Sequence, residues 1–371
     1  ARLRATATSD NWKVKTYVRA LNLTSCDPDP YVFADRTELD TGISLWISDE
    51  ASAITTYGTI NTWNVTAVTD MSGLFQNKTT FNSNISNWDV SNVTNMFRMF
   101  RNATAFDQDI NSWNVSIVTN MQEMFYDATN FNQDLNSWDV SSVLTMQAMF
   151  RTVANANSFN GNITSWIPSS CTNMREMFSG LTGKANAFNQ DIGSWNVSNV
   201  EFLQGMFNFN PNFNQNLNSW DVAKVTRMDN MFANPTSGGA FNGNIASWNV
   251  GLVTKMGGMF ENTPFNQNIS GWIPSNVDDM YGMFKNATSF DQNIGTWDVS
   301  NVTQMGLMFE NVTLSTTNYD GLLTGWAAQT LQTGVTFDGG NSQYSAGTAA
   351  TARGTLTGAP NNWTVTDGGQ V

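Results

Sequence analysis

The side chains able to do chemistry in this chain are of few kinds. No histidine occurs in 371 residues, which removes the usual general base, the commonest zinc ligand and every histidine-based triad. What recurs instead is oxygen. Phe-Asp-Gln-Asp-Ile at 106–110 and Phe-Asn-Gln-Asp-Leu at 131–135 gather acidic and amide groups, and calcium takes roughly six to eight such ligands. Asp107, Asp109 and Asp134 are the calcium candidates, although many equivalent places hold Asn; no other cofactor is indicated. A second chemistry is sugar attachment at Asn-x-Ser/Thr. The better glycosylation candidates are Asn22, Asn77, Asn102, Asn286, Asn311 and Asn362, four in one loop column and two toward the chain ends. The third is recognition without reaction. Asn64, Asp89, Asn114, Asp139, Asn196, Asp221, Asn249 and Asp298 each directly follow a Trp, usually preceded by Ser or Asn. If the Trp points inward, these neighbours form outward polar ladders. Such a face can bind a glycan or a protein; the plainer reading is that it ties neighbouring turns together.

These residues are positioned by a repeat. Trp recurs at 63, 88, 113, 138, 166, 195, 220, 248, 272, 297 and 326, most often 25 residues apart. Ile or Leu stands three before each Trp, and Val two after it except at Pro168, Pro274 and Ala328. Met stands eight and eleven after, followed by Phe, and all 18 Met fall in those two columns. Column purity of this kind is expected where each residue stacks on its counterpart one turn away. The Met columns therefore read as core rather than as a copper or haem box, and the Trp column as core rather than as a sugar-stacking platform. Ile-x-x-Trp-x-Val predicts a short strand, and Val-Thr-x-Met-x-x-Met-Phe a helical or 3₁₀ turn capped by Ser91, Ser116, Ser198 or Ser300. The fold class expected is an α/β repeat solenoid, leucine-rich-repeat-like, of about 10–11 coils of ~25 residues. Parallel pairing about 4.8 Å apart gives a stack roughly 50 Å long.

The phrase Phe-Asn-Gln-Asp-Ile-x-x-Trp-Asp-Val-Ser-Asn-Val-Thr-Asn-Met-x-x-Met-Phe resembles the repeat of the BspA-like leucine-rich-repeat surface proteins. The resemblance covers about residues 57–319. It implies a secreted or surface-displayed solenoid, often an adhesin, with no catalytic motif to transfer.

Composition narrows the partners. A net charge of −13 and a pI near 4.3 argue against nucleic acid and anionic membranes. No run is apolar for the roughly 18 residues a membrane span needs. The amide-rich surface suits an extracellular or cell-surface location. A start at Ala1 reads as a processed or trimmed chain. Cys171 occupies a column held elsewhere by Val68, Val93 and Val118 and is expected to be a buried apolar residue; a bridge to Cys26 is the minor alternative.

Three segments are expected: an N-terminal cap (1–56), the repeats (57–318) and a C-terminal cap (319–371). Residues 11–18 read as a strand, 26–30 as a turn and 33–47 as a helix. The second cap should run helix, strand, helix, strand. Loops gain residues near 150, 178, 232 and 309, all at one edge, which marks either specificity or simple tolerance. The function expected is a non-enzymatic extracellular repeat glycoprotein with an adhesive, ligand-binding role, its partner a protein or glycan on a cell surface or copies of itself. The alternative is a structural subunit of a filament or sheath built from solenoids joined end to end.

Overall fold

In the computed structural model, residues 29–236 and 238–371 are described. Each repeat lies beside the next through a single-residue parallel bridge on the residue before its first Met. The bridges run Asp70–Asn95–Asn120–Thr145–Asn173–Phe202–Arg227–Lys255–Asp279–Gln304 without interruption.

The ladder is therefore carried by the Met segment, and the run around Trp is not a strand. There the backbone closes a tight turn, with the Trp88 amide donating to the Ile85 carbonyl at 3.1 Å. The Met segment is not a helical turn either. The amides of Met71, Gly73, Phe75 and Asn77 donate sideways to the carbonyls of Asn95, Phe97, Met99 and Arg101 at 2.8–2.9 Å. The amides between them close local turns, Leu74 to Met71 and Gln76 to Gly73. The cause is a pair of left-handed residues four apart, Gly73 (φ +63°) and Asn77 (φ +61°). They stop helix propagation and turn every second N–H toward the next repeat.

The core is one continuous cluster. Indoles stack on indoles: Trp138 on Trp166 with centroids 6.3 Å apart and planes 4° apart, Trp166 on Trp195 at 5.8 Å. Two Phe columns interleave, as in Phe75–Phe81 at 4.1 Å and Phe75–Phe100 at 5.2 Å. From Trp88 to Trp326 each indole N–H of the column also reaches back to the preceding repeat, whereas Trp63 donates to the Gly58 carbonyl at 3.0 Å. Trp88 donates to the Ile60 carbonyl (2.7 Å), Trp166 to Leu135 (2.8 Å) and Trp326 to Ile294 (3.2 Å). Burial alone would accept Phe or Leu in this column; the carbonyl already takes its own repeat's Trp amide, as Ile60 does from Trp63 at 3.2 Å, and the indole adds a second bond, across the repeats, that neither could make.

The first repeat is covered by α1 (Arg36–Ser48) and α2 (Glu50–Tyr57). Asp35 caps α1 by accepting from the Glu38 amide, and Asp49 caps α2 by accepting from Ser52. The helix expected at 33–47 thus starts three residues later, and Phe33 packs on Trp63 at 4.8 Å instead. After the repeats come α3 (Thr316–Ala327), β1 (Thr336–Asp338), α4 (Thr348–Thr357) and β2 (Thr364–Thr366). The strands pair in parallel, Phe337 opposite Val365, and Met305 bridges Phe337. The strand read at 11–18, Cys26 and Asn22 lie outside the described residues. Cys171 is buried, and burial pushes its thiol pKa up to about 12.

Candidate functional site

The eight residues that follow Trp share one geometry. Each side-chain oxygen accepts a hydrogen bond from the backbone amide two residues on, at 3.0–3.2 Å, from Thr66 onto Asn64 through Ser300 onto Asp298. These are Asx turns. The Ser residues expected to cap a helical turn serve the Asx residue instead: the Ser116 and Ser198 hydroxyls donate to Asn114 and Asn196. Six of the eight are exposed, and Asn64 and Asp298, at the two ends, are half-buried.

This face is concave near residues 293–296, against the segment after the repeats, and again beside Trp113. Asp109, Asn111, Ser112, Asn114, Ser137 and Asp139 line an open groove of about 530 Å³ floored by Trp113 and Val115. It brings one calcium candidate, Asp109, together with two residues of the expected ligand face. The lining offers carboxylates, an amide from Asn111 to Ser137 (3.2 Å) and hydroxyls, a donor and acceptor mixture suited to sugar hydroxyls or peptide groups.

The other calcium candidates serve neighbouring repeats. Asp107 accepts from the Asn132 amide (3.0 Å) and the Gln133 side chain (2.8 Å), and Asp134 accepts from the Asn162 amide (2.7 Å). Among the described residues, no three His, Cys, Asp or Glu side chains come together as a metal ion would need. Asp107 belongs to an unbroken spine in the column after the repeat's first Phe. Asn82, Asp107, Asn132, Asn160, Asn189, Asn214, Asn242, Asn266 and Asp291 each accept the amide of the next member, and Ser315 at the start of α3 closes the row at 2.8 Å. The sequence reading passed over this column, although an invariant Phe-Asn/Asp pair announces it.

The sequon column has a backbone reason of its own. Asn77, Asn102, Asn286 and Asn311 all have φ between +56° and +62°, a conformation Asn tolerates well. The Asn102 side-chain amide donates to Asn77, and that of Asn311 to Asn286, each at 2.7 Å. Asn77, Asn311 and Asn362 are exposed, Asn102 and Asn286 half-buried.

Acid will test the Asx turns. The Ser91 hydroxyl and amide hold the Asp89 carboxyl below the usual carboxylate range, and Ser141 does the same for Asp139. A lowered folded-state pKa means the unfolded chain binds more protons. The contribution is complete above the ordinary Asp range and is lost as pH falls through the folded value. The urea midpoint should drop between about pH 5 and about pH 2, and Asp89→Asn with Asp139→Asn should shrink that drop. At neutral pH the variant should match the parent, because Asn114 and Asn196 make the same turn uncharged. Equal acid slopes for parent and variant would refute the assignment.

No helix among the described residues is long and apolar enough to cross a membrane. A family model described as "Mycoplasma protein of unknown function, DUF285" matches residues 46–158, 151–238 and 236–326. Neither the curated proteins nor the solved structures gave a match.

Proposed function

The chain belongs to the DUF285 family, a repeat family of unknown function, and from that premise we propose a non-enzymatic extracellular or cell-surface protein that adheres through ligand binding. Its architecture is read as a leucine-rich-repeat-like α/β solenoid of the BspA-like kind, closed by the segments before residue 57 and after residue 318. Parallel bridges from repeat to repeat and the stacked core columns support that architecture.

The binding reading rests on the groove over Asn114 and Asp139. Rigid Asx turns hold its polar groups outward at fixed spacing, so little ordering entropy remains to be lost when a ligand docks. The ligand class is a glycan or a protein of a cell surface. Filling the groove tests this at the cost of two exposed hydrogen bonds between repeats, Ser112 to the Ser86 carbonyl and Asn111 to Ser137. Ser112→Trp with Ser137→Trp should abolish retention on immobilised cell-surface glycans and proteins while the variant still unfolds in one cooperative transition. Retention of the filled variant equal to the parent, or no retention of the parent, would refute the reading.

A further inference from the structure

Charge in the first half of the repeats is segregated by side. Between residues 71 and 200 the basic residues are Lys78, Arg98, Arg101, Arg151, Arg175 and Lys184. All six lie between a repeat's first Met and the Phe that opens the next. The same segments hold three acids: Glu123, Glu176 and Asp127. Asp127 is buried, its carboxylate taken by Thr152 and by the amides of Val153 and Ala154. The other six acids, Asp89, Asp107, Asp109, Asp134, Asp139 and Asp191, all lie in the Phe-to-Val segments, and all but Asp107 are exposed. The two kinds of segment meet across the core, where Phe100 and Trp113 have centroids 6.3 Å apart. Their outward side chains therefore leave on opposite sides.

The basic side is a built surface. Arg98 and Arg101 share Glu123, and Arg151 and Arg175 share Glu176. Four guanidinium groups thus stand over two carboxylates, which leaves positive charge uncompensated on a chain of net −13. Burial would push the Glu123 carboxyl up, but Arg98 and Arg101 outweigh it and hold it below the usual range. Aromatic rings back the cations: Arg98 lies 4.5 Å from the Phe97 centroid and Arg101 4.4 Å from that of Tyr126, with Arg151 on the same ring at 5.9 Å. The guanidinium groups are preorganised and partly exposed, with N–H donors left to give.

We propose that this arginine face docks the aspartate face of a second copy of the chain, front to back. Charge complementarity selects that occupant. Both faces belong to the same repeats, so their charges advance with the same pitch and come into register together. A front-to-back contact is heterologous, each copy keeps one free face of each kind, and the product is an open-ended row.

Two variants test it. Arg98→Gln, Arg101→Gln, Arg151→Gln and Arg175→Gln together remove the four guanidinium groups of the basic face. Asp89→Asn, Asp109→Asn, Asp134→Asn, Asp139→Asn and Asp191→Asn together neutralise the exposed carboxylates of the acidic one while preserving the turns. In sedimentation velocity at about 0.1 M salt the parent should exceed its monomer mass of 40.9 kDa progressively with concentration. It should return to that mass at about 1 M salt, where the Debye length falls from roughly 10 Å to roughly 3 Å. Each variant alone should associate at least about tenfold more weakly, a loss of ~1.4 kcal/mol. Mixed, the two should form a 1:1 pair of twice the monomer mass and stop there. A parent that stays monomeric, or either folded variant associating like the parent, overturns the proposal. So does a monomeric parent that captures a sulfated or uronate glycan through the arginines, since the occupant is then a polyanion. Groove binding to immobilised ligands is read separately and stands or falls on its own.

Discussion

Trp166→Ala should cost about 3–5 kcal/mol, the range for deleting a buried aromatic side chain. Trp166 is 1% exposed and sandwiched between Trp138 and Trp195. Removing it opens a cavity inside the stack and also takes from the Leu135 carbonyl one of its two hydrogen bonds, the indole's at 2.8 Å, leaving only that from the Trp138 amide at 3.1 Å. Trp166→Phe separates the two effects. A smaller ring remains but the donor does not, so the loss should be about 1 kcal/mol, the net worth of one hydrogen bond. Urea midpoints of the two variants and the parent decide the matter. A phenylalanine variant within about 0.5 kcal/mol of the parent, the range of an ordinary surface change, would mean the indole N–H is dispensable and the column needs only bulk.

Asn186→Ala should cost about 2 kcal/mol even though Asn186 sits in a long surface loop. The residue is fully buried. Its amide donates to the Phe150 carbonyl at 2.8 Å, and its oxygen accepts from the Phe188 amide at 3.1 Å. Asn157 does the same one repeat earlier, donating to the same carbonyl at 3.0 Å and accepting from Phe159 at 2.7 Å. Two of the inserted loops are thus pinned from inside by an asparagine two residues before Phe. Lys184→Ala, a few residues away on the same loop, serves as the control. If both substitutions move the midpoint equally, the buried amide is not what holds the loop.

The core columns were legible because a slot filled ten times over by the same side chain admits few interpretations. The ladder was not, because spacing underdetermines the backbone. Ile three before Trp fits a tight turn as well as a strand, and Met three before Met fits successive turns as well as a helix. What separates these possibilities is a left-handed residue, and no residue type marks the place. Gly73, Arg98, Glu123 and Leu307 all occupy the same column with φ between +54° and +63°. The candidate ligand residues were found by their position beside Trp, but their bonding partners were not, since an Asx turn is formed with the residue's own neighbours. The buried loop asparagines left a faint trace. Where the loop is short, Ala103, Ala128 or Ala287 fills the space before the Phe; in the two long loops that follow Phe150 and Phe178, an Asn-x-Phe sequence takes over.

The bridges between repeats join only adjacent layers, so among the described residues no element staples the far ends of the stack together. Under tension applied along its axis, resistance comes from one interface at a time. Such a body yields layer by layer, each step releasing about 25 residues of slack, some 80 Å when drawn out. A stack built this way gives way gradually and can re-form from whichever layers remain.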